Sequence, residues 1–203
     1  MLMNGSRSSM ATFAIALLAL AACSKKESYG TDTTAASSTV SADTSAMSAG
    51  APTAGMWTDA NIFALLDEAN VADSTASAVA ATKGTAAAVR DFGKWMMRDH
   101  HQLRAQGEAL AKKLKVTPAA PSEDPVTPAA QKEMDTLNST VKGKDFDRAY
   151  IDAEVDIHKA VLDIATKSAS QTQTAELKNL IQQAAPVIQG HLDKAESIQK
   201  TLK

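Results

Sequence analysis

Apolar side chains recur every three to four positions through four long stretches of this chain, the spacing of helices that each turn one stripe inward. The first stretch, residues 58–83, carries Ile62, Leu65, Leu66, Ala69, Ala72, Ala76 and Val79 on its stripe. It opens with Thr58-Asp59-Ala60-Asn61, a capping pattern with an acid in the first turn, and ends near Lys83-Gly84. The second, about residues 85–115, turns Val89, Phe92, Met96, His100, Leu103, Leu110 and Leu114 inward, with Asp99 and His101 flanking the stripe. The third, about 145–169, collects Phe146, Tyr150, Ile151, Glu154, Ile157, His158 and Val161. The fourth, about 172–202, collects Leu177, Ile181, Ala184, Ile188, His191, Ala195 and Ile198. Pro186 lies inside this last helix, which predicts a kink and a freed carbonyl one turn back.

The connections set the topology. Pro118, Pro121 and Pro125 end the second helix, and Thr127-Pro128 opens a short helix to about Thr140 with proline at the favoured first position. Gly143 breaks the chain before the third long helix. Short first and last connections around a long middle one predict an all-α fold, a ferritin-like four-helix bundle whose crossover between helices 2 and 3 contains a short helix.

Composition agrees with an all-helical chain: 44% of the 203 residues are hydrophobic and only 4% aromatic, with the helix formers Ala, Leu, Lys, Glu and Gln abundant. There is no glycine-rich phosphate loop, no paired-cysteine motif and no alternating hairpin pattern, so nucleotide binding and dithiol chemistry have no support. The net charge is -2, and -3 without the segment before Cys23, which removes Arg7 and leaves 23 acids against 20 bases. No cation cluster suited to nucleic acid appears.

The domain organisation is read from the first fifty-six residues. Residues 1–22 have a polar start with Arg7 and an apolar run, Ala11 to Ala22, too short to span a bilayer as a mature helix, which reads as a signal peptide. Leu20-Ala21-Ala22-Cys23 resembles the bacterial lipobox, which implies cleavage before Cys23, lipidation of its thiol and acylation of the new amine. Cys23 is the only cysteine, so no disulfide forms within the chain. Two or more acyl chains on one residue anchor a protein to a membrane. Ser24 in the next position implies, on that resemblance, the outer membrane with the domain facing the periplasm. Residues 23–56 then form a linker of Ser, Thr, Ala and Gly that cannot bury enough apolar surface to fold, a tether reaching on the order of 30 Å. The bundle domain occupies residues 57–203.

Three of the four histidines, His100, His158 and His191, fall on inward stripes of three different helices. At about 1.5 Å per residue their positions lie within roughly 6 Å of a common height, so the rings can meet. Carboxylates at that level are Glu154, Asp99 and, on the first helix, Glu68 or Asp73. Asp147 shares a stripe with His158 but stands about 16 Å along the axis and cannot share a metal with it. Two readings remain open. One is a hydrogen-bonded polar core without a ligand, with Asp99, Asp147 and Tyr150 as members. The other is a zinc, iron or manganese site with His100, His158, His191 and Glu154 as ligands. Ferritin-like di-iron sites need Glu-x-x-His on two helices, which is absent: Met97, Val155 and Ile188 precede the histidines by three. Asp147 reads as a first-turn carboxylate facing a helix dipole, Tyr150 as a core residue whose hydroxyl meets a carboxylate or carbonyl, and His101 as solvent-facing. No residue reads as a catalytic nucleophile.

Asp59-Ala60-Asn61, Met97-Arg98-Asp99-His100, Phe146-Asp147-x-x-Tyr150 followed by His158, and Pro186 followed by His191-Leu192 together resemble the bacterial exported family called domain of unknown function 4142, from about residue 57 onward. The resemblance implies a ferritin-like bundle in a secreted or lipid-anchored envelope protein, and it marks Asp99, His100, Asp147, Tyr150, His158, Pro186 and His191. It brings no activity. Family members commonly have Glu where this chain has Asp73, and the Ala-rich first helix departs from their pattern. The expected function is a non-enzymatic binding or stress-related module of the envelope. The alternatives are a metal-binding protein and a scaffold for an envelope protein partner.

Overall fold

The structure is a computed structural model that describes residues 56–202. The expected signal peptide, lipidated Cys23 and most of the linker lie outside the described residues. The chain forms five helices and, among the described residues, no strand: α1 (Asp59–Lys83), α2 (Ala87–Leu114), α3 (Val126–Ser139), α4 (Lys144–Gln171) and α5 (Ala175–Gln199). None of them is long and apolar enough to cross a membrane.

The start of α1 follows the sequence pattern closely. Thr58 Oγ1 accepts from the Asn61 backbone N–H at 3.2 Å, and Asn61 Oδ1 accepts from the Thr58 N–H at 3.0 Å, a reciprocal cap that satisfies two donors no helical carbonyl can reach. At the end of α2, Lys115 adopts φ 57°, and its N–H and that of Val116 turn back to Ala111 and Lys112 carbonyls. The short helix starts slightly earlier than expected: Pro125 precedes it, and Pro128 sits within the first turn, where a missing N–H costs nothing. Helix α5 continues through Pro186 without interruption.

Contacts at the helix ends define the topology. Ala119 of the proline-rich segment donates to Ala60 at 3.1 Å, so α2 ends where α1 begins. Lys83 donates to the Leu137 carbonyl, so α3 brings the chain back to the far end of α1. The return connection at the end of α4 lies on the start of α1, where the hydroxyls of Thr172 and Thr174 both donate to Asp59. Helices α1 and α2 pack as one antiparallel pair and α4 and α5 as another, while α3 lies across α1 and α4. The crossover is therefore part of the packed structure, not an excursion outside it.

Helices α1 and α2 approach each other closely at Gly93. A side chain at Gly93 would place its Cβ 2.7 Å from the Ser77 carbonyl and 3.0 Å from the Ala81 nitrogen, so the backbones meet with nothing between them. The small residues of α1, including Ala76, Ser77 and Ala80, all buried, make room for this contact.

The apolar core has two blocks. One contains Phe92, Met96, Leu137, Phe146, Tyr150, Ile151 and Ile198; the other contains Ile62, Phe63, Ala111, Leu177 and Ile181. Between them, at mid-height, every helix contributes a buried polar residue: Asp73 from α1, His100 from α2, Glu133 from α3, Glu154 and His158 from α4, and His191 from α5.

Candidate metal centre

The three inward histidines meet. Their ring centroids are 5.8 Å (His100 to His158), 5.1 Å (His100 to His191) and 5.5 Å (His158 to His191) apart, nearly an equilateral triangle, and all three residues are at most 1% exposed. One ring nitrogen from each lies within 4.8 Å of the others. A shared ion requires nitrogens no farther apart than about 4 Å, twice a bond length of about 2 Å. With its nitrogens within 4.8 Å, the triangle is close to that size and a small rotation of the rings closes it.

Each ring is held from behind. His100 Nδ1 faces Asn70 Oδ1 at 2.9 Å, and Asn70 itself donates to the Leu66 carbonyl. His158 Nδ1 donates to the Glu154 backbone carbonyl at 2.9 Å, with Glu154 Oε2 at 3.3 Å. His191 Nε2 donates to Asp99 Oδ2 at 3.1 Å, and the Trp95 ring stands edge-on to it at 4.8 Å. The remaining nitrogens, His100 Nε2, His158 Nε2 and His191 Nδ1, are buried and have no hydrogen-bond partner. One oriented nitrogen and one free nitrogen on each ring is the arrangement that metal-binding histidines adopt, because the bond behind the ring sets its tautomer and direction.

The electrostatics divide the rings. Burial drives His100 well below the ordinary imidazole value, and charge on His191 and His158 acts in the same direction. Burial also lowers His191, despite the opposing bond to Asp99. Burial opposes protonation of His158 too, but the Glu154 and Asp73 carboxylates outweigh it and hold this ring up at about 9. An ion bound at Nε2 of His158 would replace a proton there.

Glu154 belongs to a second grouping, with Asp73 and His158, whose ligand atoms also lie within 4.8 Å of one another. Both oxygens of Asp73 and both of Glu154 are buried without a hydrogen-bond partner. Burial, opposed by His158 and reinforced by Glu154, raises Asp73 to about 7. Beside them, Glu133 of α3 is raised to about 9 by burial and then by the charges of Glu154 and Asp73. Glu133 was not among the residues singled out from the sequence. Its signal was present, since Val126, Ala130, Glu133 and Leu137 step along α3 by four, three and four, an inward stripe with an acid in the middle.

The three residues expected to form one polar network fall in separate places. Asp99 supports His191 from the rim of the core. Asp147 is buried at the end of the bundle, where it accepts from the backbone N–H groups of Thr85 and Ala86, each at 2.7 Å, and from the Thr85 hydroxyl. It thus faces a helix dipole as expected, and the dipole of α2 as well as that of its own helix. Tyr150 shares a hydrogen bond with Ser77 Oγ at 2.9 Å, and the Glu154 carboxylate lies beside its hydroxyl and, after burial, raises its pKa. Glu68 is half-buried and turned toward Asp124, away from the histidines. His101 is exposed, as its position beside the stripe predicts.

Fold and centre together define an all-helical bundle with a buried layer of histidine and carboxylate at mid-height. The chain belongs to the family Domain of unknown function (DUF4142), whose sequence pattern matches residues 42–198. No curated protein matches it. Among solved structures it is similar to CopM in the Cu(II)-bound form, with 14% sequence identity and a TM-score of 0.61, over 73% of this chain and 99% of that one. At that identity the likeness shows a shared fold.

Proposed function

We propose that this protein is an envelope-anchored, non-enzymatic module that binds one transition-metal ion through His100, His158 and His191. One observation carries the reading: three buried imidazole nitrogens on three helices have no partner, while the opposite nitrogen of each ring is held in place. Leaving buried polar atoms unpaired costs about 1–3 kcal/mol each, and a closed hydrogen-bonded core would have no such atoms. An ion that displaces the proton of His158 Nε2 and accepts the lone pairs of all three nitrogens removes that cost.

Imidazole ligands suit zinc, copper, nickel and iron. The sequence suggested zinc, iron or manganese. Copper(II) is the first ion to test, because it heads the affinity order for nitrogen donors and because CopM, of similar fold, has been seen with Cu(II).

The test is a titration of the metal-stripped full chain carrying Cys23→Ser, which removes its one thiol. We expect one Cu(II) per chain with nitrogen hyperfine structure in its electron paramagnetic resonance spectrum. Affinity should be unchanged in His101→Ala and at least a hundredfold weaker in His100→Ala or His191→Ala. Absence of stoichiometric copper, or equal affinity in the core variants, overturns the proposal.

The lipobox-like Leu20 to Cys23 segment supports attachment to the envelope, with the outer membrane as the destination. Cys23→Ser should abolish labelling by radioactive palmitate and move the protein out of the membrane fraction. Unchanged partition would remove the anchor from this reading.

A further inference from the structure

We propose that the bundle core has a second cation site beside the histidine triangle, built from the carboxylates of Asp73 and Glu154 and closed by Glu133 of the crossover helix. It borders the site proposed above at His158, whose Nδ1 keeps its hydrogen bond to the Glu154 backbone carbonyl, and it takes none of that site's ligands. The ligand is a divalent first-row cation that accepts oxygen donors, of the kind represented by Mn(II).

The argument starts from burial. Asp73 is 1% exposed, Glu154 0% and Glu133 5%. Five of their oxygens have no hydrogen-bond partner: Asp73 Oδ1 and Oδ2, Glu133 Oε1, and Glu154 Oε1 and Oε2. A carboxylate removed from water without a counter-charge costs several kcal/mol. Among the described residues, Lys94, Arg98, Arg104, Lys113 and Lys159 form ion pairs with other acids, and no lysine or arginine pairs with these three. Two imidazoles stand beside them: His158, whose Nδ1 is 3.3 Å from Glu154 Oε2, and His100, whose Nδ1 is 3.6 Å from Asp73 Oδ2 but which burial keeps neutral. A single imidazolium cannot serve three acids, so burial keeps protons on Glu133 and Asp73 that a bound cation would displace.

Geometry places a ligand set here. One atom each from Asp73, Glu154 and His158 lies within 4.8 Å of the other two, on two facing helices. Glu133 reaches the same region from outside, across a small cavity of about 50 Å³ between α1, α3 and α4 that is walled by Asp73, Glu133 and otherwise apolar side chains such as Ala129, Ile157 and Val161. An ion at the three histidines alone leaves the carboxylate oxygens unsatisfied, whereas a second ion on their side gives them a partner. Carboxylate-rich donor sets favour harder cations than imidazole-only sets do.

The test loads the full chain carrying Cys23→Ser with Cu(II) to saturation and then titrates Mn(II), counting bound manganese by loss of the free-ion resonance signal. Mn(II) competes poorly for imidazole, so it reports the carboxylates. We expect one Mn(II) per chain beyond copper, with affinity at least tenfold weaker in Asp73→Asn and in Glu133→Gln while copper capacity is retained. Circular dichroism and the thermal midpoint establish that each variant is folded. Copper bound without manganese overturns the second site and leaves the histidine site standing. Manganese bound through Asp73 without copper supports this site and overturns the other. Wild-type manganese affinity in folded Asp73→Asn overturns the assignment.

Discussion

Asp99 accepts a hydrogen bond from His191 Nε2–H at 3.1 Å, and the opposite nitrogen of the same ring, Nδ1, is buried without a partner. The carboxylate therefore fixes both which nitrogen carries the proton and where the free lone pair points. Asp99→Asn, whose amide can present its nitrogen to the ring, should weaken Cu(II) binding by about tenfold to a hundredfold, the usual effect of removing a support behind a metal-binding histidine. Because Asp99 sits at the rim of the core with its side chain 20% exposed, the thermal midpoint should move little. A copper titration with no change in affinity would show that the ring is oriented by packing against Trp95 instead.

Asp147 joins the start of α4 to the start of α2, accepting two backbone N–H groups and a hydroxyl from Thr85 and Ala86. Asp147→Ala removes the shared partner of those half-buried donors, and should cost about 1–2 kcal/mol in urea unfolding. Copper capacity should be unaffected, since Asp147 is not part of the histidine and carboxylate layer. A loss below about half a kcal/mol would mean that the start of α2 is satisfied in another way.

Glycines in α2 should respond in opposite ways. Gly93→Ala drives a methyl group into the Ser77 carbonyl, 2.7 Å away, and separation of α1 from α2 should cost about 1–3 kcal/mol. Gly107→Ala meets nothing within 4 Å, and should stabilise the protein by up to about 1 kcal/mol through helix propensity alone. Equal effects of the two changes in thermal melts would contradict the close approach of the two helices.

The metal-free protein should lose stability as pH rises. The proton on Glu133 is held up to about pH 9 in the folded chain, against an ordinary value of 4.5, so the folded state binds more protons than the unfolded state between those two values. Stability falls across that window as pH increases, by up to about 1.4 kcal/mol per pH unit for one group. His158, held at about 9 against 6.5, contributes in the same direction above pH 6.5. His100, lowered by burial, acts oppositely, reducing stability as pH falls below 6.5. Glu133→Gln should flatten the alkaline decline and make the chain more stable than wild type near pH 8, with the advantage gone near pH 4.5. Parallel urea midpoints for the two proteins would refute the buried, protonated carboxyl.

Much of this centre was legible along the chain. Periodicity placed His100, His158 and His191 on inward stripes, and helix length with a fixed rise per residue placed them at one level. These are local properties, and the 5.1–5.8 Å triangle of rings bears out the inference. Glu133 was overlooked because the crossover helix read as a connection, and a connection has no reason to contribute to a core. Asp147 and Tyr150 were identified as buried polar residues, yet their partners, Thr85 with Ala86 and Ser77, are distant in sequence and could not be chosen from spacing.

The sequence alone determined the elements, because a helix repeats at 3.6 residues and is capped and broken by side chains within a few positions of its ends. It also determined the height of each inward polar group, because distance along a helix is proportional to residue number. Tertiary structure decided how each helix was rotated and which helices became neighbours. Those choices turned Glu154 toward Asp73 and Glu133, gave Asn70 and Asp99 the backs of two rings, and left three nitrogens free. They depend on side-chain packing among segments far apart in the chain, for which no local pattern carries the information.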